Sequence, residues 1–197
     1  MSTLHDLVIA ARARDDDAFM SLVSIETPEA FRLSLAILRQ HHDAEDALQE
    51  AFVRAWRDLP RLRDTERWPA WFRRIVVSCA IDTGRRRKGN RIVPLDFHEP
   101  TPASDGSAER ADRDEVLVAI GHLDARDRAL LALRFGHDLE LPDVAAALGI
   151  PLGTAKSRLH RALGRLRTQL ETSDGDRRAP SEDAACKYNP VKTESRV

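Results

Sequence analysis

The sequence predicts an all-α protein: two small helical domains joined by a flexible linker, the C-terminal one a helix-turn-helix. Apolar residues recur every three or four positions in almost every segment, and no stretch shows the alternation expected of a half-buried strand. The 197 residues include 42% hydrophobic ones, enough for one large or two small cores. One stretch rich in Pro, Ser and Gly interrupts the helical pattern and divides the chain.

The periodicity predicts a series of helices. They cover Leu4–Arg14, Asp17–Ser24, Pro28–Arg39, Ala44–Asp58, Pro69–Arg87, Arg113–Leu123, Arg126–Phe135, Pro142–Leu148 and Thr154–Leu170. We expect an N-terminal domain over residues 1–91, a flexible linker over 92–112, a C-terminal domain over 113–171 and a disordered tail over 172–197.

The C-terminal domain carries the pattern of a helix-turn-helix. Gly149 suits the left-handed position that ends a supporting helix, and Thr154 can cap the helix that follows. Besides its apolar stripe, that last helix has a face of donors and positive charge with no carboxylate, formed by Lys156, Ser157, His160 and Arg161. Such a helix can pack on one side and enter the major groove of DNA with the other. The alternative is an amphipathic helical hairpin whose basic face is only solvated.

Charge is segregated along the chain. The net charge of −1 is unusual for a protein that binds DNA by itself. However, basic residues outnumber acidic ones between Arg61 and Arg91, whereas Asp96–Glu115 is mainly acidic. The near-neutral total therefore conceals basic patches that could meet nucleic acid.

An acidic face is predicted on the helix within Asp43–Trp56. Its apolar residues form one stripe and leave Glu45, Asp46, Gln49 and Glu50 toward solvent. This face offers charge and hydrogen bonds to a basic partner, although many solvated helix surfaces look the same.

The segment Trp68–Lys88 begins with aromatic residues and ends with contiguous cations. One or two of Trp68, Trp71 and Phe72 are expected in the core. Aromatic rings beside arginines also suit single-stranded nucleic acid, because bases stack on rings while phosphates meet cations. The helix dipole explains part of the cationic cluster, which consists of Arg85, Arg86, Arg87 and Lys88.

The sequence gives little support to a metal site or a catalytic site. Cys79 and Cys186 fit no metal-ligand spacing, and Cys79 lies in an apolar run, so we expect a core residue in a reducing cytoplasm. His41 and His42 are consecutive residues of a predicted loop and are poorly placed to converge on one ion. No histidine accompanies a Ser or Cys nucleophile. The sequence predicts no catalytic residue, metal or cofactor, and neither a signal peptide nor a membrane span.

Taken together, these motifs resemble a bacterial RNA polymerase sigma factor of the extracytoplasmic-function type. The resemblance rests on their order along residues 1–171: DAEDALQEAF, WFRRI…AID…RRR, a polar linker, LDARDRALLALRF and GIPLGTAKSRLHRALGRL. It implies a protein that binds core polymerase, directs it to promoters and assists promoter melting. It also implies a cytoplasmic protein without membrane insertion, monomeric when free, with an anti-sigma factor as a further partner.

The resemblance assigns a role to each surface. Asp46, Gln49 and Glu50 would grip the clamp helices of the polymerase β′ subunit, and the β flap is a further expected contact. The linker would thread through the polymerase. The minus-ten promoter element would be melted and read by Trp68, Trp71, Arg74, Ser78, Arg85, Arg86, Arg87 and Lys88.

The last helix would read the minus-thirty-five element in the major groove. The residues implied are Thr154, Lys156, Ser157, Arg158, His160 and Arg161. Several positions depart from the family pattern: Val77 and Ser78 stand where relatives commonly carry Arg-Asn, His41 and His42 replace a short Gly/Asp turn, and Glu140 stands where Ser or Thr would cap the supporting helix. Ser78 matches a position that often helps hold a flipped minus-ten base, so we expect a weakened or altered base preference there.

The competing interpretation is a dimeric helix-turn-helix regulator that binds palindromic duplex DNA without core polymerase. The basic helix with its tryptophans and the absence of a ligand-like domain argue against it. A pure interaction protein would have no use for two basic, DNA-facing helices.

Overall fold

The computed structural model describes residues 3–87 and 107–178, with side chains at 3–87 and 114–172. Its α-helices are α1 (Leu4–Arg12), α2 (Asp16–Leu38), α3 (His41–Asp58), α4 (Trp68–Arg87), α5 (Ser107–Gly121), α6 (Ala125–Leu131), α7 (Leu141–Leu148) and α8 (Leu152–Arg178). Short 3-10 turns at Leu59–Arg61 and Thr65–Arg67 precede α4, and a π-helical turn at Ala132–Gly136 follows α6. The described ranges contain no strand, in agreement with the predicted all-α fold.

Helix α2 is continuous where the sequence predicted two helices. Pro28 lies inside it and removes one backbone donor, which normally breaks or kinks a helix. Leu22 on one side of the proline and Leu33 and Ile37 on the other are buried in the same core. Burial of both halves against one core offsets the cost of the missing hydrogen bond, so the predicted break is wrong.

The turn between α2 and α3 is tighter than expected. Arg39 adopts a left-handed conformation, with φ of 60°, and α3 begins at His41 instead of Ala44. His41 Nδ1 lies 3.4 Å from Glu45 and His42 Nδ1 lies 3.6 Å from Asp46. These pairs, one helical turn apart, support the extended helix start. The two histidines are therefore helical, and the loop predicted for them is wrong.

The supporting helix and its turn follow the prediction in one detail and depart from it in another. Gly149 ends α7 in the left-handed conformation, with φ of 64°, as predicted. Helix α8 begins at Leu152, so Thr154 lies inside its first turn and is not the cap. The Thr154 carbonyl accepts a hydrogen bond from Ser157 Oγ at 3.0 Å.

Two helices extend beyond the predicted boundaries. α5 begins at Ser107, within the range expected to be linker, and α8 continues to Arg178, within the range expected to be tail. The rest of both ranges, together with Lys88 and Cys186, lies outside the described residues. Within the described part, no helix is both long and apolar enough to cross a membrane.

The helices before and after the gap pack against each other. We call residues 3–87 the first segment and residues 107–178 the second segment. α6 packs on α2 and α4, and α7 packs on α4. Cys79, at 0% exposure, lies in the shared core as predicted, and burial raises the pKa of its thiol to about 11.

The left-handed turn gives a first prediction. Gly149→Ala should lower the free energy of unfolding by about 1–2 kcal/mol, because a Cβ disfavours this conformation. Urea denaturation of the purified chain measures the change. Gly164→Ala is the matched control, since a Cβ there meets nothing within 4 Å and the residue lies inside α8. It should be neutral or stabilising by up to about 1 kcal/mol, and an equal loss in both variants would contradict the argument.

Candidate nucleic-acid and protein interfaces

The acidic face of α3 is built as the sequence predicted. Ala44, Ala47, Leu48 and Ala51 are buried, which leaves Asp46 and Gln49 exposed and Glu50 half-buried. Glu50 is not free, because its carboxylate accepts hydrogen bonds from Arg54 at 2.9 Å and from Arg86 at 3.1 Å. Val53, 68% exposed, lies one turn beyond Gln49 and extends the surface with an apolar side chain.

The tryptophans at the start of α4 have different environments. Trp68 is 1% exposed, stacks on Phe72 with ring centroids 5.2 Å apart, and donates from Nε1 to Glu26 at 2.8 Å. Burial raises the pKa of Glu26, and the hydrogen bond from Trp68 opposes that shift. Trp71 is half-buried. Trp68 could stack on a base only by leaving the core. Its side chain therefore does not belong to a DNA-contacting surface in this structure, and the DNA contact of Trp71 stays a prediction.

The middle of α4 faces the helix-turn-helix. Arg74 and Ser78 line a cleft of about 380 Å³ together with Gly149, Ile150 and Arg158. Arg158 is half-buried in this cleft, whereas Lys156, Ser157 and His160 of α8 are exposed. The structure therefore brings together residues that the sequence assigned to two different promoter elements.

Two of the arginines that end α4 are bound to carboxylates of α3. Arg86 contacts Glu50, and Arg87 forms an ion pair with Asp43. Asp43 is 3% exposed; burial raises the pKa of its carboxyl, and the charge of Arg87 opposes that shift. Asp43 was not among the predicted site residues, because nothing in the sequence links it to a cation more than forty positions away. Arg85 is exposed and has no ion pair with any residue in the described ranges.

The outer face of α8 is open to solvent. Lys156, Ser157, His160 and Arg161 are all exposed, and within residues 3–87 and 107–178 the one hydrogen bond of the Arg161 side chain is to the backbone carbonyl of Ser157, at 3.3 Å. Further along, Arg165 binds Asp127 at 2.9 Å and fixes α8 against α6. Burial raises the pKa of the Asp127 carboxyl, and Arg165 opposes that shift. The geometry presents a basic helix face in the manner of a recognition helix.

Comparison with known proteins assigns the family. Residues 22–90 match the family model Sigma-70 region 2, and residues 119–168 match Sigma-70, region 4. An RNA polymerase sigma-E factor of Streptomyces antibioticus is 36% identical over 137 residues, which cover 70% of this chain and 76% of the relative. The chain belongs to the sigma-70 family of RNA polymerase sigma factors. The ECF sigma factor SigM of Mycobacterium tuberculosis is 32% identical over 161 residues, covering 82% and 81% of the two chains. This sigma factor is therefore of the extracytoplasmic-function type.

Solved structures support the same fold. The sigma factor RpoE of Bartonella quintana, in complex with the anti-sigma factor NepR, aligns with a TM-score of 0.56 and 25% identity over 78% of this chain and 96% of that one. CnrH, in complex with the cytosolic domain of CnrY, aligns with a TM-score of 0.60 and 24% identity over 85% and 97%. The matches favour a sigma factor over a dimeric regulator. Sigma factors as a class are non-enzymatic.

The Asp43–Arg87 pair gives a prediction with a defined pH dependence. Arg87→Ala leaves a buried carboxylate unpaired and should cost about 1–3 kcal/mol of stability at pH 7. The pKa of Asp43, already raised, should rise further, so the folded state takes up a proton more readily than the unfolded state. The stability lost in Arg87→Ala should therefore become smaller as the pH falls through the raised pKa of Asp43 toward the ordinary carboxyl value of 3.8.

Urea denaturation at pH 7 and at lower pH measures this dependence. Arg85→Ala removes the same charge from the same helix end and should leave stability nearly unchanged at both pH values. Asp43→Asn combined with Arg87→Ala removes the carboxyl as well as the arginine. The extra pH dependence of the unfolding free energy seen in Arg87→Ala should then disappear. If the stability lost in Arg87→Ala is the same at both pH values, the protonation of Asp43 does not determine that loss, and the explanation is wrong.

Proposed function

We propose that this sigma factor docks on core RNA polymerase through α3, engages the minus-ten element through α4 and reads the minus-thirty-five element through α8. The observation that carries the proposal is the exposure of two faces of opposite character, one acidic and one basic. They lie on the segments that match sigma-70 regions 2 and 4.

The acidic face is suited to a basic protein partner. Asp46, Gln49 and Glu50 offer carboxylates and an amide within two turns of one helix, and the cationic partner proposed is the clamp-helix pair of the β′ subunit. Charge complementarity of this kind accelerates association and fixes register. The β flap is the corresponding contact proposed for the second segment.

Promoter melting requires binding energy and no chemical catalyst. Unstacking a base costs about a few kcal/mol, which stacking on an aromatic ring and contacts from arginine can offset. We propose Trp71, Arg74, Ser78 and Arg85 for this surface. Arg86 and Arg87 join it if their carboxylate partners on α3 release them, and Lys88 continues the cluster in sequence. The short Ser78 side chain supports an altered preference for the flipped base.

The basic face of α8 is proposed to enter the major groove. Arginine and lysine read guanine through its N7 and O6 acceptors, and serine and histidine add hydrogen bonds to bases or phosphates. Lys156, Ser157, His160 and Arg161 form this face, with Thr154 at its start. Arg158 can join them only when the cleft against α4 opens.

Further parts of the proposal concern partners and location. The sigma factor is proposed to be a monomer when free, to act in the cytoplasm with the polymerase, and to work by binding alone, without metal or cofactor. An anti-sigma factor is proposed as its inhibitor, by analogy with the Bartonella complex. Reconstituted transcription with core polymerase and mapping of start sites tests the function as a whole. Failure to direct initiation at any promoter would overturn it.

The polymerase contact can be tested by neutralising charge without changing side-chain shape. Asp46→Asn with Glu50→Gln should raise the dissociation constant for core polymerase at least about tenfold, or about 1.4 kcal/mol. Asp16→Asn with Asp17→Asn is the control, because those exposed carboxylates in the first turn of α2 make the same change in net charge. Fluorescence anisotropy measures both affinities. Equal weakening by the two pairs would indicate an effect of net charge alone.

The recognition helix can be tested with two arginines on one helix. Arg161→Ala should reduce transcript from promoters that contain the upstream element about tenfold, since a good base contact contributes about 1–3 kcal/mol. Arg167→Ala is the control: Arg167 is exposed and pairs with Glu171 at 2.8 Å, on a different side of α8. It should transcribe normally. Identical output from promoters with and without the upstream element would contradict a reading role for Arg161.

A further inference from the structure

A buried carboxylate lies against the recognition helix α8. Asp127, 6% exposed, belongs to the first turn of α6 and accepts a hydrogen bond from Arg165 Nη1 of α8 at 2.9 Å. Its own backbone N–H donates to the Asp124 carboxylate at 2.9 Å, which fixes the start of α6. The binding surfaces proposed above include neither Asp127 nor Arg165, and a carboxyl buried to this degree has no access to DNA.

The field of this carboxylate acts on a row of arginines along α8. Arg158, Arg161 and Arg165 are three and four residues apart, so they follow one another along the helix surface. Burial and the neighbouring Asp124 raise the pKa of the Asp127 carboxyl. The charges of all three arginines oppose that shift. The carboxylate therefore attracts the whole row, and Arg161 in that row also belongs to the proposed base-reading face.

The apolar stripe of α8 holds the helix in place without fixing its rotation. Ala155 and Ala162 are 0% exposed, whereas the larger Leu159 and Leu166 are only half-buried. Apolar burial is non-directional, and a methyl group projects too little to interlock with the ridges of a neighbouring helix. A charge-assisted hydrogen bond, in contrast, requires a defined distance and angle. The bond from Arg165 to α6 is therefore suited to set the rotation of α8 about its own axis.

We propose that Asp127 is a positioning residue, whose contact with Arg165 fixes the rotation of α8 so that Arg161 meets base edges in the major groove. The proposal rests on the base-reading role proposed above for α8. Base contacts need a side chain held to within about 0.5 Å and about 10–20°. Phosphate contacts tolerate a shifted helix and carry no sequence information. Loss of the ion pair should therefore reduce discrimination between sequences more than it reduces affinity for DNA.

A discrimination ratio tests the proposal. It is the transcript that the holoenzyme makes from a promoter mapped in reconstituted transcription, divided by the transcript from the same promoter with its minus-thirty-five element scrambled. Asp127→Ala should lower this ratio about tenfold, because a displaced α8 loses base contacts that favour the intact element. The affinity of the holoenzyme for the scrambled promoter, and its decrease with rising salt, should stay as in wild type, since the phosphate contacts persist.

Two asparagine variants separate the contact from a general effect of charge. Asp127→Asn keeps the size of the side chain and accepts only a neutral hydrogen bond from Arg165, so the ratio should fall about threefold. Circular dichroism should show unchanged helix content. Asp124→Asn makes the same change in net charge at the same helix end, and Asn caps a helix as well as Asp does. It should leave the ratio unchanged, because within the described ranges the Asp124 carboxylate forms no ion pair with α8.

A double-mutant cycle tests the ion pair itself. Arg165→Ala should lower the ratio as Asp127→Ala does. The double variant should lower it no further, because the two side chains act through one contact and their effects are then not additive. Arg167→Ala is the control on the same helix: Arg167 is exposed and pairs with Glu171, so its loss should leave the ratio unchanged.

The outcomes separate this proposal from the proposed function. A wild-type ratio near one would overturn the reading role of α8 and, with it, the task given to Asp127. A wild-type ratio well above one that both Asp127 variants retain would overturn the positioning role alone. An equal loss in Asp124→Asn, additive losses in the double variant, or a less steep salt dependence would also overturn it, because an α8 that has simply unfolded loses its phosphate contacts as well. A non-additive loss confined to the pair, with unchanged salt dependence, would support the proposal.

Discussion

The need to bury α4 on more than one side governs the arrangement of this molecule. Ile75, Val76 and Val77 are consecutive and all buried, and Cys79 and Ala80 continue the run. Consecutive residues of a helix point about 100° apart, so these side chains face several sides of α4 and leave only a narrow polar strip that contains Arg74 and Ser78. Helices α2 and α3 cover one side, and α6 and α7 supply the rest. The apolar sides of α4 that α2 and α3 leave uncovered are thus buried by the second segment.

Much of this structure could be predicted from local patterns. The buried stripe of α3, the left-handed Gly149 and the buried Cys79 each follow from side-chain chemistry and spacing within a few residues. The basic outer face of α8 is equally local, because its residues recur at helical spacing. For such features the sequence contains the whole physical cause.

Features that depend on distant partners could not be predicted in the same way. The continuity of α2 through Pro28 depends on a core to which other helices contribute. The cationic neighbours of Trp68 and the family resemblance both favour a DNA contact, yet Glu26 and Phe72 hold its side chain inside the core. Asp43 and Arg87 meet only because α3 and α4 pack together. The covering of α4 had one local sign, since Ile75, Val76 and Val77 are three consecutive apolar residues and so face more than one side of the helix.

The shared carboxylate of Glu50 has a thermodynamic consequence. Glu50 accepts hydrogen bonds from Arg54 on its own helix and from Arg86 at the end of α4. A ligand that captures this carboxylate leaves Arg86 with one anionic neighbour fewer, and an anion that captures Arg86 leaves Glu50 correspondingly more available. Linkage requires the two effects to be equal in free energy. Whatever occupies one of these side chains therefore changes the affinity of the other for its own ligand, over a distance of one hydrogen bond.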